Sequence, residues 1–477
     1  MKTAAALWRR TRETADAFVH SKFYMVFLAA AAYLLWYYED LLAAIAVFAA
    51  IACLGLILVR DGVSILPFVT IAPCVVHIDE MPGELWQYVL AALPAAIGLM
   101  VHIAVYRRNK LDKSSFNLLP MAALVAAMLL SGAFSSALRD ATKGLTATLY
   151  VGVLPLLLYL FIKLYGEDKC AFGDYAASSM VVWGMLIAAQ ALTLYVRAAA
   201  EGIDIGSNNY APELGWANSN VFPTALMVCM AFNFYFMHKS VKNLLPMVAL
   251  TALEFVCTLY AHSRGAMIFT VIVLIAGTAA VTVYNRKNPL YWAVFAVVLA
   301  GLAVTLTFFG ERLGQILGNT FEDKLQTSSR DALYLEALDK FLQNPLFGAG
   351  MGYLGYNSVL QMASGIYPFH STVFQTLGSM GLLGVAAMIW LYISRYYTVL
   401  SVRRAWHIFF FVGMLGVEGY AIIDTATFEG LPFMTTIYMF IALMELEGQT
   451  DKGQIKLGCT LKELAASGSK IWKKKRA

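Results

Sequence analysis

Charge is scarce in this 477-residue sequence. Asp, Glu, Lys and Arg make up 14% of it, against roughly 25% in soluble domains. Cysteine is scarce too, with six in all. Cys53, Cys74, Cys229 and Cys257 fall in apolar stretches, and no pair of the six has metal-ligand spacing. Cys170 and Cys459 fall in segments assigned below to the inner side, so no extracytoplasmic disulfide framework is expected. The sequence has no short-period repeat, low-complexity tract or phosphate-cradling glycine loop, and no stretch resembling a soluble nucleotide-binding domain. Those gaps argue against an ATP-driven transporter and against a cytoplasmic nucleotide-sugar enzyme. No Asp-rich metal motif occurs, so neither a metal nor another cofactor is expected.

What the sequence has in excess is apolar surface, at 60% hydrophobic residues. A water-soluble core cannot hide that much, so the alternative solvent is lipid. There each crossing helix needs roughly 20 mainly apolar residues and must pair its backbone internally. The reading is an all-α polytopic membrane protein with about 12–14 transmembrane helices. Candidate spans lie near 23–38, 41–59, 63–77, 86–106, 117–136, 145–164, 176–196, 221–237, 244–262, 265–284, 289–309, 371–393, 406–426 and 430–446. The third is short and holds Pro67 and Pro73, which fits a kinked or partly re-entrant segment. Residues 1–447 read as one transmembrane domain and 448–477 as a basic cytoplasmic tail. The polar, basic residues 1–22 lead directly into the first span, with no sign of a cleavable signal peptide.

Lys and Arg set the orientation. With the amino terminus inside, 27 of the 35 fall on inner segments and 8 on outer ones. Both termini are then cytoplasmic, and Lys473, Lys474, Lys475 and Arg476 lie near anionic headgroups of the bilayer. The net charge of +5 is a topology signal, not a nucleic-acid-binding one.

The longest polar interruption, 310–370, is assigned to the outer side as one large helical extracytoplasmic loop. Within it, Leu335, Leu338, Phe341 and Leu342 recur at helical spacing, which suits a helix lying on the membrane surface with its apolar face down. Ser328 or Ser329 is placed to cap that helix, and Asn344-Pro345 to stop it. Arg330 in the first turn opposes the helix dipole unless an anion binds there too. With a hydroxyl and exposed amides it makes a candidate phosphate site, and a solvated surface arginine is the plainer alternative. Arg264 sits in a connection too short to be a solvated loop, so it either meets a functional partner or snorkels to headgroups. Glu254, deeper in the preceding span, also needs a partner or a proton. His370 closes the loop; histidine titrates near neutrality, which suits a general base, though interfacial histidines are commonly structural. Glu418 and Asp424 in the thirteenth span are candidates to orient one of these basic groups.

The order and spacing of these outer features resemble the O-antigen ligase and polymerase superfamily of membrane glycosyltransferases. Gly215-Trp-Ala-Asn218-Ser-Asn220 resembles its glycine-to-asparagine motif, and Ser263-Arg264-Gly265-Ala266 its serine-arginine motif. Arg330 through Gly352 is similar to its arginine, helix, Asn-Pro-Leu and Gly-x-Gly signature. His370 with Phe374 and Gly378-Ser-Met-Gly381-Leu-Leu-Gly384 resembles its histidine-led span. The matching segments cover roughly residues 210–390. The sequence departs from the family in one place. Asn208-Asn209-Tyr210 stands where many members carry an arginine, and Arg197 is the nearest outer arginine.

The resemblance implies an enzyme of a bacterial cytoplasmic membrane with its active site on the extracytoplasmic face. It would move a glycan from undecaprenyl diphosphate to an acceptor hydroxyl, on a glycan or a lipid, in surface polysaccharide biosynthesis. His370, Arg264 and Arg330 would be catalytic; Arg264, Arg330, Ser329, Asn218 and Asn220 would contact substrate; no metal would be needed. The alternatives are a polymerase of the same superfamily, sharing that chemistry, and a polysaccharide flippase. A flippase predicts two related halves around a central polar cavity, whereas the polar candidates here gather on one face and in the second half.

Overall fold

The computed structural model describes residues 2–76, 84–111, 115–135, 137–167, 171–207, 210–322, 330–355, 367–401, 404–428 and 430–450. Among them every regular element is a helix; one isolated bridge, Arg139 to Tyr353, is the nearest approach to a strand. Among the described residues, ten helices are long and apolar enough to cross a membrane, and an eleventh candidate is a bent pair. Three shorter apolar segments, Gly62–Val75, Leu118–Phe134 and Ala405–Ala421, lie among them.

The bent pair is α1 (Lys2–Val19) and α2 (Lys22–Tyr37), which meet at 73°. Within the stretch 1–22, expected only as a polar tail, Lys2–Val19 form a basic helix set across the first span, and Ser21 caps α2 through the Tyr24 amide. α3 (Leu41–Leu58) is capped by Asp40 and packs along α5 (Leu85–Val105). Between them the Pro67/Pro73 segment is broken, as its prolines require: short α4 (Leu66–Ile71) is flanked by tighter turns at Gly62–Ile65 and Ala72–Val75. Next come α6 (Leu118–Phe134), then α7 (Ala141–Ala147) and α8 (Leu154–Tyr165), joined through a wide turn. The bundle continues with α9 (Phe172–Ala200), α10 (Val221–Lys239), α11 (Leu244–Tyr260) and α12 (Arg264–Asn285). α13 (Pro289–Glu322), α14 (Arg330–Gln343), α15 (Thr372–Ser401), α16 (Ala405–Ala421) and α17 (Thr435–Thr450) complete it.

α10 and α17 form the centre and are almost wholly buried, whereas the most apolar stretch of α13 buries none of its residues. Polar contacts gather at two rims. One holds His20–Asp61, Arg60–Glu167, Lys239–Asp174 and Arg404–Glu447. The other holds Arg197–Glu39, Arg312–Asp204 and Arg330–Asp424. Between the rims, buried charges are paired inside the bundle. Glu445 takes Lys163 at 3.3 Å, Tyr159 at 2.6 Å and Asn117, while Arg395 meets Glu418. Glu254 finds an amide and not a cation: Asn233 Nδ2 donates to it at 2.7 Å.

Helix α13 ends later than hydropathy suggests. α13 continues unbroken through Gly310, Glu311 and Arg312 to Glu322, and Arg312 bonds Asp204 at 2.7 Å. Its 34 residues reach about 51 Å, well beyond a hydrocarbon core of about 30 Å. Apolarity marks where lipid would end, not where the helix does.

Candidate active site

The site is assembled where the ends of α16, α14, α12 and α10 meet the start of α15. α16 stops at Ala421, and the turn beyond it presents Asp424. The first residue of α14, Arg330, donates from Nη1 to the Ile423 carbonyl at 2.6 Å and brings Nη2 to 3.6 Å from Asp424 Oδ2. His370 Nδ1 lies 3.4 Å from the other carboxylate oxygen, Oδ1, which also accepts from the Thr425 amide at 2.7 Å. Burial opposes ionisation of Asp424. The His370 hydrogen bond, the charges of His370 and Arg330 and the Thr425 amide outweigh it and hold the carboxyl below the usual carboxylate range. The His370 and Arg330 side chains keep 26% and 29% exposure, so a ligand can reach both.

His370 is held from several directions. Its carbonyl accepts from Tyr334 at 3.0 Å, and the Tyr334 ring stacks on Phe374 at 4.3 Å. The next amide but one, Thr372, donates to the Asp424 carbonyl at 3.0 Å. His370 itself has φ 48°, a left-handed conformation uncommon outside glycine. His262, φ 54°, repeats this at the start of α12. In each case a left-handed histidine precedes a serine just before a helix, and such strain persists only where surroundings impose it.

The Asn-Pro-Leu and Gly-Ser-Met-Gly segments lock α15 in place. α15 is kinked at Gly381, φ 58°. An unbroken helix would bond the Gly378 and Ser379 carbonyls to the Leu382 and Leu383 amides. Here Leu382 and Leu383 donate instead to Pro345 and Leu346, at 2.8 and 3.2 Å. The two carbonyls accept from Ala349 and Gly350, at 2.7 and 2.9 Å. The loop after α14 is thus spliced into the break, leaving none of these backbone groups unpaired. A Cβ on Gly381 would sit 2.6 Å from the Leu346 backbone, so glycine is required for space as well as for φ.

α14 forms where the spacing predicts, but its protein-facing side is Leu333, Glu336, Ala337 and Lys340. Glu336 accepts from Tyr353 at 2.7 Å and Tyr367 at 3.0 Å, and Lys340 lies over the Tyr353 ring. Those partners make burial of two charged side chains tolerable. Leu335, Leu338 and Leu342 face the opposite way, exposed.

Arg264 is the first residue of α12, and its neighbour Gly265 packs against Tyr420, which donates to Asp424 Oδ2 at 2.8 Å. Gly265 faces Tyr420 and Ile423, where a Cβ would come within 2.7 Å, so the Ser-Arg-Gly sequence is what lets α12 pack onto the end of α16. Asn220, at the start of α10, accepts through its side-chain oxygen from Ser263 Oγ at 2.8 Å. Asn218 uses its side-chain oxygen on the amides of Asn220 and Val221, at 2.9 and 3.1 Å, which closes an Asx-type turn just ahead of α10. Ser328 and Ser329 lie outside the described residues, as do Asn208, Asn209 and residues 451–477. Arg197 pairs with Glu39 at 3.5 Å and lies over Tyr37, away from this cluster. Glu418 serves Arg395 and not the site, whereas Asp424 serves both Arg330 and His370. Tyr334 and Tyr420 carry no motif signal in the sequence beyond the four-residue spacing of Tyr420 and Asp424.

An ordered arginine–histidine–carboxylate cluster lies at one rim of a multi-pass helical bundle. Residues 247–389 match the family model described as O-antigen ligase, which supports an O-antigen ligase superfamily assignment. No curated protein matches the chain. The match supports a ligase- or polymerase-type function in general and the class of glycan transferases that act on lipid-linked glycans in a membrane.

Proposed function

We propose that the protein is an O-antigen ligase-like glycosyltransferase, moving a glycan from undecaprenyl diphosphate to an acceptor hydroxyl at the extracytoplasmic face of a bacterial cytoplasmic membrane. The observation that carries this reading is the direct meeting of Arg330, His370 and Asp424, two of which lie inside the matched segment along with Arg264. Asp424 accepting from Nδ1–H fixes the neutral His370 tautomer whose Nε2 carries the lone pair. Nε2 takes the proton of the acceptor hydroxyl as its oxygen attacks the anomeric carbon. The bond from that carbon to the diphosphate oxygen breaks, and the electron pair leaves on the diphosphate. Arg330 has N–H donors beyond those facing Ile423 and Asp424, and with Arg264 it stabilises the developing charge. Guanidinium groups can meet that demand without a metal. Both termini are cytoplasmic in this reading, and the Arg330 rim is the outer one. The exposed leucines of α14 rest in the outer leaflet, continuous with lipid-facing Phe134 and Leu382.

The test is the surface glycan of a deletion strain. Completed polymer left on its lipid carrier is the expected result; single repeats left on the carrier would mean a polymerase, and substrate retained inside would mean a transporter.

A further inference from the structure

α1 meets α2 at 73°, which lays it across the rim where α2 starts and α3 ends. Two polar contacts hold it there. Arg12 donates from Nε to the carbonyl of Leu58, the last residue of α3, at 3.3 Å, with its guanidinium 5.0 Å from the centre of the Tyr106 ring. His20, just beyond α1, lies 2.7 Å from Asp61. Arg12, Ala15, Asp16 and Val19 are the side chains that α1 turns toward the bundle. Leu7, Thr11, Thr14 and Phe18 share a second face, at i, i+4, i+7 and i+11, and all four are exposed. Both threonine hydroxyls donate to carbonyls of their own helix, those of Leu7 and Arg10, at 3.0 Å, so neither needs water for its proton. At the elbow the Phe18 ring meets those of Phe23 and Phe27, 6.0 and 6.3 Å away and exposed on the flank of α2. The apolar face of α1 therefore continues onto the flank of the first span. Arg9, Arg10, Glu13 and Ala17 take the remaining exposed side. Arg9 is spent on Glu13 at 2.9 Å, and Asp16 lies 3.8 Å from His20. Arg10 and Arg12 have no carboxylate partner among the described residues.

We propose that α1 is an interfacial helix that binds anionic phospholipid. Its Leu7–Thr11–Thr14–Phe18 face sinks to the boundary between headgroups and acyl chains, and Arg10 and Arg12 hold lipid phosphates beside it. An exposed apolar stripe laid flat at the end of a membrane bundle needs acyl chains beneath it. Guanidinium groups without counter-ions next to that stripe need anions, and a leaflet rich in anionic headgroups offers both. Through the Arg12–Leu58 bond the attachment passes to α3, so the lipid surface steadies the first two spans together. This contact is independent of the proposed reaction. Only the leaflet, the cytoplasmic one, rests on the orientation proposed above.

The test is lipid quenching of a bimane label on the full-length protein, carried on one cysteine at a time in a background lacking native cysteines. Leu7→Cys and Phe18→Cys report the apolar face, and Ala17→Cys, about 100° round the helix from Phe18, is the water-facing control. The protein is placed in nanodiscs of equal phosphatidylcholine and phosphatidylglycerol, with bromine on the acyl chains of one lipid at a time. Strong quenching at positions 7 and 18 and little at 17 is expected, with brominated phosphatidylglycerol quenching more than brominated phosphatidylcholine. Arg10→Gln is expected to lower the local enrichment of phosphatidylglycerol by up to about fivefold, and Arg12→Gln by a similar factor. Arg12→Gln also breaks the bond to Leu58, whereas the Arg10 side chain makes no hydrogen bond or ion pair among the described residues, so Arg10→Gln separates charge from folding. A label at 7 and 18 that neither lipid quenches would overturn the interfacial placement. Equal quenching by the two lipids would overturn the choice of an anionic partner, and an undiminished phosphatidylglycerol preference in both arginine variants would overturn their role. None of these readings requires glycan transfer, so a failure of the proposed reaction leaves them intact.

Discussion

Asp424 meets Arg330 through Oδ2 and His370 through Oδ1, and its Oδ2 also accepts from Tyr420, so changes at these residues should be coupled. Arg330 spans two acceptors, the Ile423 carbonyl and the carboxylate, with different nitrogens of one plane. A lysine offers a single point charge and cannot do both. Arg330→Lys is expected to lower kcat/KM by roughly 10–100-fold in a transfer assay, and near-normal kinetics would make the arginine structural. The pH dependence follows from Asp424. Its carboxyl is held below the usual carboxylate range, so the ionised pair is complete above that range and is lost only as pH falls through the depressed value. Asp424→Asn should therefore still reduce kcat at about pH 8, well above the range in which a carboxyl titrates. A variant with wild-type kcat at that pH would mean that the carboxylate does not serve the base. Arg330 and His370 were legible in the sequence from chain position and motif. Asp424 was legible as a candidate to orient a basic group, without the choice of partner. Tyr420 was not, because a tyrosine at the end of an apolar helix looks like ordinary interfacial packing until its hydroxyl is seen to face a carboxylate.

The elements matter through their ends. The break in α15 at Gly381 is filled by the Pro345–Gly350 backbone, and that splice anchors the same helix that begins at His370. Gly381→Ala forces a side chain into a left-handed residue and toward the Leu346 backbone, and is expected to cost about 1–3 kcal/mol. Gly301→Ala in α13, with open space around it, is the matched control and should be neutral or slightly stabilising. Thermal unfolding in detergent separates the two, and an equal response would mean the splice adds no rigidity. The Asn-Pro-Leu and Gly-Ser-Met-Gly stretches are readable as local breaks, but which break pairs with which is a tertiary fact. The inward face of α14 was hidden for the same reason. Burying Glu336 and Lys340 over leucines makes sense only once Tyr353 and Tyr367 supply hydrogen bonds and a ring.

For the whole molecule, hydropathy was enough to identify a multi-pass helical membrane protein, because lipid allows little else for so apolar a chain. It was not enough to place the end of α13, where polar residues continue a helix past the apolar stretch, or to see that residues 2–19 form a helix across the first span. The proposed orientation puts Asp204 and Asn344 at the outer rim and Glu167 and Lys242 at the inner one. Single cysteines at the first pair should react with an impermeant thiol reagent in intact cells on a background lacking native cysteines, and those at the second pair only after permeabilisation. The reverse pattern would invert the topology. Chelator treatment is expected to leave transfer unchanged, and strict metal dependence would contradict the arginine-based account of the leaving group. The central claim is that His370, held by Asp424 beside Arg330, accepts the proton of the attacking hydroxyl. Its most direct measurement is glycan transfer from a polyprenyl-diphosphate donor by purified protein in nanodiscs, wild type against His370→Ala with matched folding. The account predicts turnover in the wild type and loss of at least about 100-fold in the variant; a variant that transfers glycan at the wild-type rate would contradict it.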